Sequence, residues 1–292
     1  EAFEFCNKLT TLVLPNALEE IGSNAFNYCT GITKINIPAK TTRIDSSSFA
    51  SCDNLREITV SAGNQRYFAA NNCLVEGYYG TLIAAPKISD VVIPNGVKYI
   101  PAYTFYREPT VLRSVVIPTS VTSIDYGAFA NCTSLEEIHL PDSVTTMGYR
   151  VFANDTALKT VNYPKNYNDS FGGYGAESYQ YGQLFFGCTA LETVTIPDGT
   201  QKIADHAFRN SGISKMFIPR SVTAIGNYAL DGCTKLTDVY YQIDEENWNK
   251  ISIGSVNDIL TRVTMHYNTG TVDPAELVPV ISASYNELIP VG

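Results

Sequence analysis

A phenylalanine that returns every 23 residues constrains this chain more than any other feature. Phe3, Phe26 and Phe49 stand 23 residues apart, as do Phe129 and Phe152, and Phe185 and Phe208. The surroundings return with it. One copy runs Ala128-Phe129-Ala130-Asn131-Cys132, then Leu135, Ile138, Leu140-Pro141, Val144 and Met147. Another holds Phe26, Cys29, Ile32, Ile35, Ile37-Pro38 and Ile44 in the same frame. Further copies start at Phe105 and, with leucine in place of phenylalanine, at Leu230. A unit this short cannot bury its own apolar side chains. Stacked copies bury each other's, so a fixed period of this length specifies a solenoid.

Within the unit, Glu137-Ile138-His139-Leu140 alternates polar and apolar residues, the pattern of a half-buried strand. Proline follows the strand at Pro15, Pro38, Pro94, Pro118, Pro141, Pro164, Pro197 and Pro219. It has no N–H to donate and ends the ladder at a set point. Asp125 to Ala130 is too short for an independent helix, so a single helical or 3-10 turn is expected there, with Phe129 inward. Ten strands are expected, near residues 12, 35, 58, 91, 115, 138, 161, 194, 216 and 239, with an eleventh at Val263 to Tyr267.

The register breaks in three places. Cys73–Glu76 and Thr81–Ala84 flank Gly77-Tyr78-Tyr79-Gly80, a hairpin signature, which makes 61–90 an irregular unit. Residues 165–182 are a Tyr/Gly-rich insertion carrying Tyr174 and Tyr179, read as a surface loop. A tolerated insertion packing its own tyrosines is the alternative. Residues 242–267 are expected to form a C-terminal capping unit, with the single tryptophan, Trp248, as its apolar plug. The solenoid is thus expected over 1–267, and 268–292 as a tail or linker. Glu1-Ala2-Phe3 lies inside a repeat, so the chain reads as a piece of a longer protein.

The pattern Gly-x-x-Ala-Phe-x-x-Cys-x-x-Leu-x-x-Ile-x-Ile-Pro-x-x-Val-x-x-Ile, with Gly22 to Cys29 a close instance, resembles the BspA-like leucine-rich repeat. The resemblance covers roughly residues 1 to 267. It implies an α/β solenoid: a leucine-rich-repeat-like right-handed superhelix with one continuous parallel sheet and short helical or 3-10 turns on the opposite side. It also implies a secreted or cell-surface bacterial protein with a role in adhesion, and no family-wide catalytic residues. Asp155 and Ser211 replace the cysteine of the pattern, and Leu230 the phenylalanine.

Composition excludes several functions. The net charge of −9 argues against a nucleic-acid partner, which needs a basic stripe to displace counterions. No apolar run is long enough to span a bilayer. Cys6, Cys29, Cys52, Cys132, Cys188 and Cys233 share one repeat position, which points to a column of buried free thiols rather than disulfides; Cys73 lies off-frame. His139, His206 and His266 sit in different units, without companions at metal-ligand spacing. No cofactor, metal or catalytic group is indicated, and the chain reads as a non-enzyme.

The middle outward strand column runs Val13, Asn36, Thr59, Val92, Val116, His139, Asn162, Thr195, Phe217 and Tyr240. Aromatic residues gather at its C-terminal end, which is unusual on a solvated face. Phe217 and Tyr240, flanked by Lys215 and Asp238, form the candidate ligand site, expected as a flat aromatic platform; His139, Tyr174 and Tyr179 complete the set. The expected role is recognition of a host or bacterial surface protein or glycan. A structural spacer is the alternative, and a hydrolase ranks last. Equally, the tail from Thr269 onward would turn these rings into ordinary core if it folded back over them.

Overall fold

The computed structural model describes residues 2–106, 111–165, 167 and 182–268. The strand ladder expected from the sequence is present. Lys34–Ile37 pairs in parallel with Glu57–Val60. Asp90–Val92, Ser114–Val116, Glu137–Ile138 and Thr160–Val161 follow one another in register. Thr193–Thr195, Lys215–Ile218, Asp238–Tyr241 and Thr264–His266 do the same, the last being the eleventh expected strand. Register places like on like: Val194, Met216, Val239 and Met265 line up across four strands. The stretch around Leu12 forms no ladder strand. Among the described residues the sheet is interrupted between Val60 and Asp90 and between Val161 and Thr193. These are the two places where the sequence inserts extra chain.

A second parallel ladder runs beside the first. It pairs Glu20–Ile21 with Arg43–Ile44. It continues through Tyr99–Ile100, Ser123–Ile124 and Thr146–Met147, and again through Lys202–Ile203, Ala224–Ile225 and Ser252–Ile253. Each of these strands has two residues, too few for alternation to show in a sequence. The inward residue is buried at Ile44, Ile100, Ile124, Met147, Ile203 and Ile225.

The segment carrying the phenylalanine is not helical. Residues two before it or its Leu230 equivalent (Tyr103, Gly127, Arg150, His206, Tyr228) and two after it (Tyr28, Ser51, Asn131, Asn154, Asn210) all have φ between 53° and 64°. That left-handed region cannot occur inside a right-handed helical turn. The conformation turns the N–H groups of alternate residues along the stack. Phe129 N–H donates to Val151 O at 3.0 Å and Asn131 N–H to Ala153 O at 2.9 Å; Phe26 and Tyr28 repeat this toward Ser48 and Ala50. The turns therefore form a third ladder and satisfy backbone groups that would otherwise be orphaned in the interior. Among the described residues the only α-helix is Glu245–Trp248.

The side chains stack with the same step. The rings of Phe105, Phe129, Phe152, Phe185 and Phe208 lie nearly parallel, with centroids 4.9 to 5.6 Å apart. Phe3, Phe26 and Phe49 form a separate run. Every in-frame thiol after Cys6 donates to the carbonyl of the phenylalanine one unit earlier: Cys29 to Phe3, Cys52 to Phe26, Cys132 to Phe105, Cys188 to Phe152 and Cys233 to Phe208, at 2.9 to 3.1 Å. The cysteine is thus the smallest apolar side chain that also satisfies a buried carbonyl. All seven cysteines are free, and all but Cys6 are buried. Burial pushes the Cys52 and Cys73 thiols up to about 12. Only the thiolate is nucleophilic, so iodoacetamide on the native protein should label Cys6 alone, and mass spectrometry should find the other six modified only after denaturation. Reductant should leave the melting temperature unchanged. Native labelling at Cys132 or Cys188 would show the column to be open.

The expected hairpin is present and larger than the sequence suggests. Tyr67–Ala70, Cys73–Glu76 and Thr81–Ala84 form three antiparallel strands, and the last joins the second ladder through Thr81 and Tyr99. Here the core divides in two, one part running from Ile21 to Ala84 and the other from Cys73 to Ile251. At the other end, Asp244 caps the helix Glu245–Trp248 by accepting from Asn247 N–H at 2.9 Å. Trp248 is buried and meets Tyr241 edge to face at 5.4 Å. Both strand ladders continue past this helix, at Ser252–Ile253 and Thr264–His266, so Trp248 fills the interior of a turn that the stack extends beyond.

Candidate functional site

Strand register alone brings the predicted pair together. Phe217 and Tyr240 are Cα partners, and so are Lys215 and Asp238 two residues earlier. The next strand adds a member that the sequence column had omitted: Tyr240 pairs with His266. The rings stack in series, Phe217 to Tyr240 at 4.5 Å and 13°, and Tyr240 to His266 at 4.3 Å and 9°. Ring faces are therefore spent on one another. What they turn outward is a ridge of ring edges rather than a flat platform. Phe217, between Thr195 and Tyr240 in register, is only 9% exposed, whereas Tyr240 and His266 are half-buried.

Charge borders the ridge. His266 Nε2 and Asp238 Oδ1 are 2.8 Å apart, and Thr237 Oγ1 donates to Asp238 Oδ2 at 2.7 Å. The His266 and Thr237 hydrogen bonds hold the Asp238 carboxyl below its ordinary range, so it stays ionised well into acid. Lys215 is exposed on the neighbouring strand. The arrangement offers a positive aromatic rim and a carboxylate in direct contact with it, with a lysine at the paired position of the neighbouring strand.

The remaining predicted residues stand apart. His139 lies three turns back in the same column, roughly 14 Å away at the usual strand spacing. It is half-buried, and desolvation lowers its pKa. Its neighbour Asn162 is committed to the fold, accepting from Leu140 N–H and donating to Leu140 O, both at 2.8 Å. Tyr174, Tyr179 and the tail from Thr269 lie outside the described residues. On the turn side a second aromatic group had no clear sequence signal: Tyr103, Tyr126 and Tyr149 pack in sequence at 4.4 and 4.9 Å. They stand two or three residues before the phenylalanine, at two different repeat positions, so no single column marks them. Among the described residues, no three His, Cys, Asp or Glu side chains converge to hold a metal ion, and no helix is long and apolar enough to cross a membrane.

The repeat now has both its sequence frame and its three ladders. Six copies of the BspA type leucine rich repeat region match the sequence, over residues 1–74, 84–174 and 181–271. The chain belongs to that family. This BspA-type solenoid is similar to a leucine rich cell surface protein from Faecalibacterium prausnitzii, 27% identical, with a TM-score of 0.53 over 86% of this chain and 64% of that one. It is also similar to a leucine-rich repeat protein from Eubacterium ventriosum, 28% identical, with a TM-score of 0.60 over 77% of this chain and 58% of the other. The chain thus spans less than two thirds of either relative. The pneumococcal vaccine antigen PcpA, 17% identical with a TM-score of 0.60 over 87% of this chain and 66% of its own, shares the fold. No curated protein matches the chain.

Proposed function

We propose that this BspA-type solenoid is the ligand-binding part of a bacterial surface protein, and that it recognises a protein or glycan through the outward strand face at residues 215–266. The observation that carries this reading is the Phe217–Tyr240–His266 stack beside Asp238 and Lys215. Phe217 is largely covered and anchors the stack, while Tyr240 and His266 keep part of their rings open on the outward face of the sheet. Held rigid by stacking, they lose little entropy when a partner arrives. Ring edges carry the positive end of the aromatic quadrupole, which suits the face of a partner's aromatic side chain or an acceptor oxygen. Asp238 and Lys215 then supply orientation through charge-assisted hydrogen bonds. The leucine rich cell surface protein among the relatives supports an extracellular placement.

Tyr240→Ala combined with Asp238→Asn should weaken attachment of the protein to host or bacterial cells by about tenfold or more, the loss expected when a binding hot spot is removed. Its melting temperature should stay within a few degrees of wild type. Unchanged attachment by a folded double variant would sink this assignment and leave the spacer role as the better account.

A further inference from the structure

We propose a second recognition site, on the turn side between Phe49 and Tyr106, which takes a turn-forming peptide segment of a partner protein. It is separate from the strand-face ridge and does not depend on it. The site exists because one turn is missing. In an ordinary unit the chain takes fourteen residues from its second-ladder strand to its first, as from Ile124 to Ile138. In the hairpin unit it takes nine, from Leu82, beside Thr81 in the second ladder, to Val91. The phenylalanine turn is the part left out. The short connection through Ala84 and Ala85 runs buried beneath the space where that turn would lie.

The result is a cleft of about 300 Å³. Phe49, Ala50 and Ser51 form one wall, Ala102 and Thr104 the other, and Ile83, Ala84 and Leu55 the apolar floor. With one turn absent, the walls stand two ladder steps apart, roughly 10 Å, which is room for a single chain. The walls are complementary to a peptide backbone. In the flanking units the phenylalanine and the residue two after it donate to the next turn, as Phe26 does to Ser48 O and Tyr28 to Ala50 O. Among the described residues, Phe49 N–H and Ser51 N–H have no such backbone acceptor, and the Ala102 and Thr104 carbonyls across the cleft have no backbone donor. A row of donors thus faces a row of acceptors over an apolar floor. An inserted chain completes both rows, as an added strand completes a sheet edge. Its best sequence is that of the absent turn, small residues around one aromatic side chain.

The probe is a fluorescein-labelled peptide with the sequence of residues 125–133, carrying Cys132→Ser. A control peptide carries the equivalent of Phe129→Ser. Titration into the full chain should give saturable anisotropy with the first peptide and at least about tenfold weaker binding with the control. Hydrogen exchange at the Phe49 and Ser51 amides should slow on binding. Ala50→Trp, an exposed position on the cleft wall, should abolish binding without changing attachment through the strand face. Ala102→Trp on the opposite wall serves if the first variant does not fold. The proposal is overturned by any of three results: no saturation up to about 1 mM, binding that survives both wall variants without amide protection, or a dimer of the free protein in which those amides are already protected.

Discussion

Phe129→Ala should remove about 3–5 kcal/mol of stability, the usual result of truncating a buried aromatic ring. Phe129 is fully buried, and its ring stacks on Phe105 at 4.9 Å and on Phe152 at 5.4 Å, so one truncation breaks two ring contacts as well as opening a cavity. The turns on either side are tied to it through the backbone and cannot collapse inward without stretching the third ladder. A fall in melting temperature on the order of 10 °C is expected for a protein of this size. Calorimetry showing a fall of only a degree or two would mean that the phenylalanine column does not hold the units together.

Asp155→Cys should have a large effect in the opposite direction. Asp155 occupies the thiol column and is fully buried. Its Oδ1 accepts from Cys132 N–H at 2.7 Å, while its Oδ2 has no partner. A buried polar atom without a partner costs about 1–3 kcal/mol. A thiol at this position would donate to Phe129 O, as Cys132 donates to Phe105 O, and Cys132 N–H would keep its bond to Phe129 O. The variant should therefore gain about 1–3 kcal/mol at neutral pH.

Acid should distinguish the two proteins further. Burial raises the Asp155 pKa well above its ordinary value, partly opposed by the Cys132 N–H bond. The protonated form is therefore favoured in the folded state. The stability linked to this proton is fully present below the unfolded value near ~3.9 and is lost as pH rises through the folded pKa. Between the two values the slope is about 1.4 kcal/mol per pH unit. Chemical denaturation across pH should show this fall in wild type and not in Asp155→Cys. Parallel pH profiles would show that Asp155 is hydrated and ionised in the folded protein.

What was legible in the sequence follows from how many residues carried each signal. The phenylalanine, cysteine and isoleucine columns return in nearly every unit, so stacking and strand register could be read directly. The second ladder could not, because pairs such as Arg43–Ile44 or Ser123–Ile124 span only one period of alternation. The turn conformation was signalled only in part: glycine or asparagine holds the left-handed positions at Gly127, Asn131, Asn154 and Asn210, but tyrosine, arginine and histidine hold others at Tyr103, Arg150 and His206. At the candidate site, the column gave adjacency correctly for Phe217 and Tyr240. It said nothing of ring orientation, and orientation is what turns an expected platform into a ridge. His266 escaped because the column was read only as far as Tyr240, although the strand that carries it was expected.

The most direct test of the binding account is an array of host proteins and glycans, probed with the wild-type chain and with a Tyr240→Ala/His266→Ala variant of matched melting temperature. The account predicts a discrete set of ligands for wild type, all lost or weakened by about tenfold or more in the variant. The same ligands retained at equal strength by both proteins would contradict it.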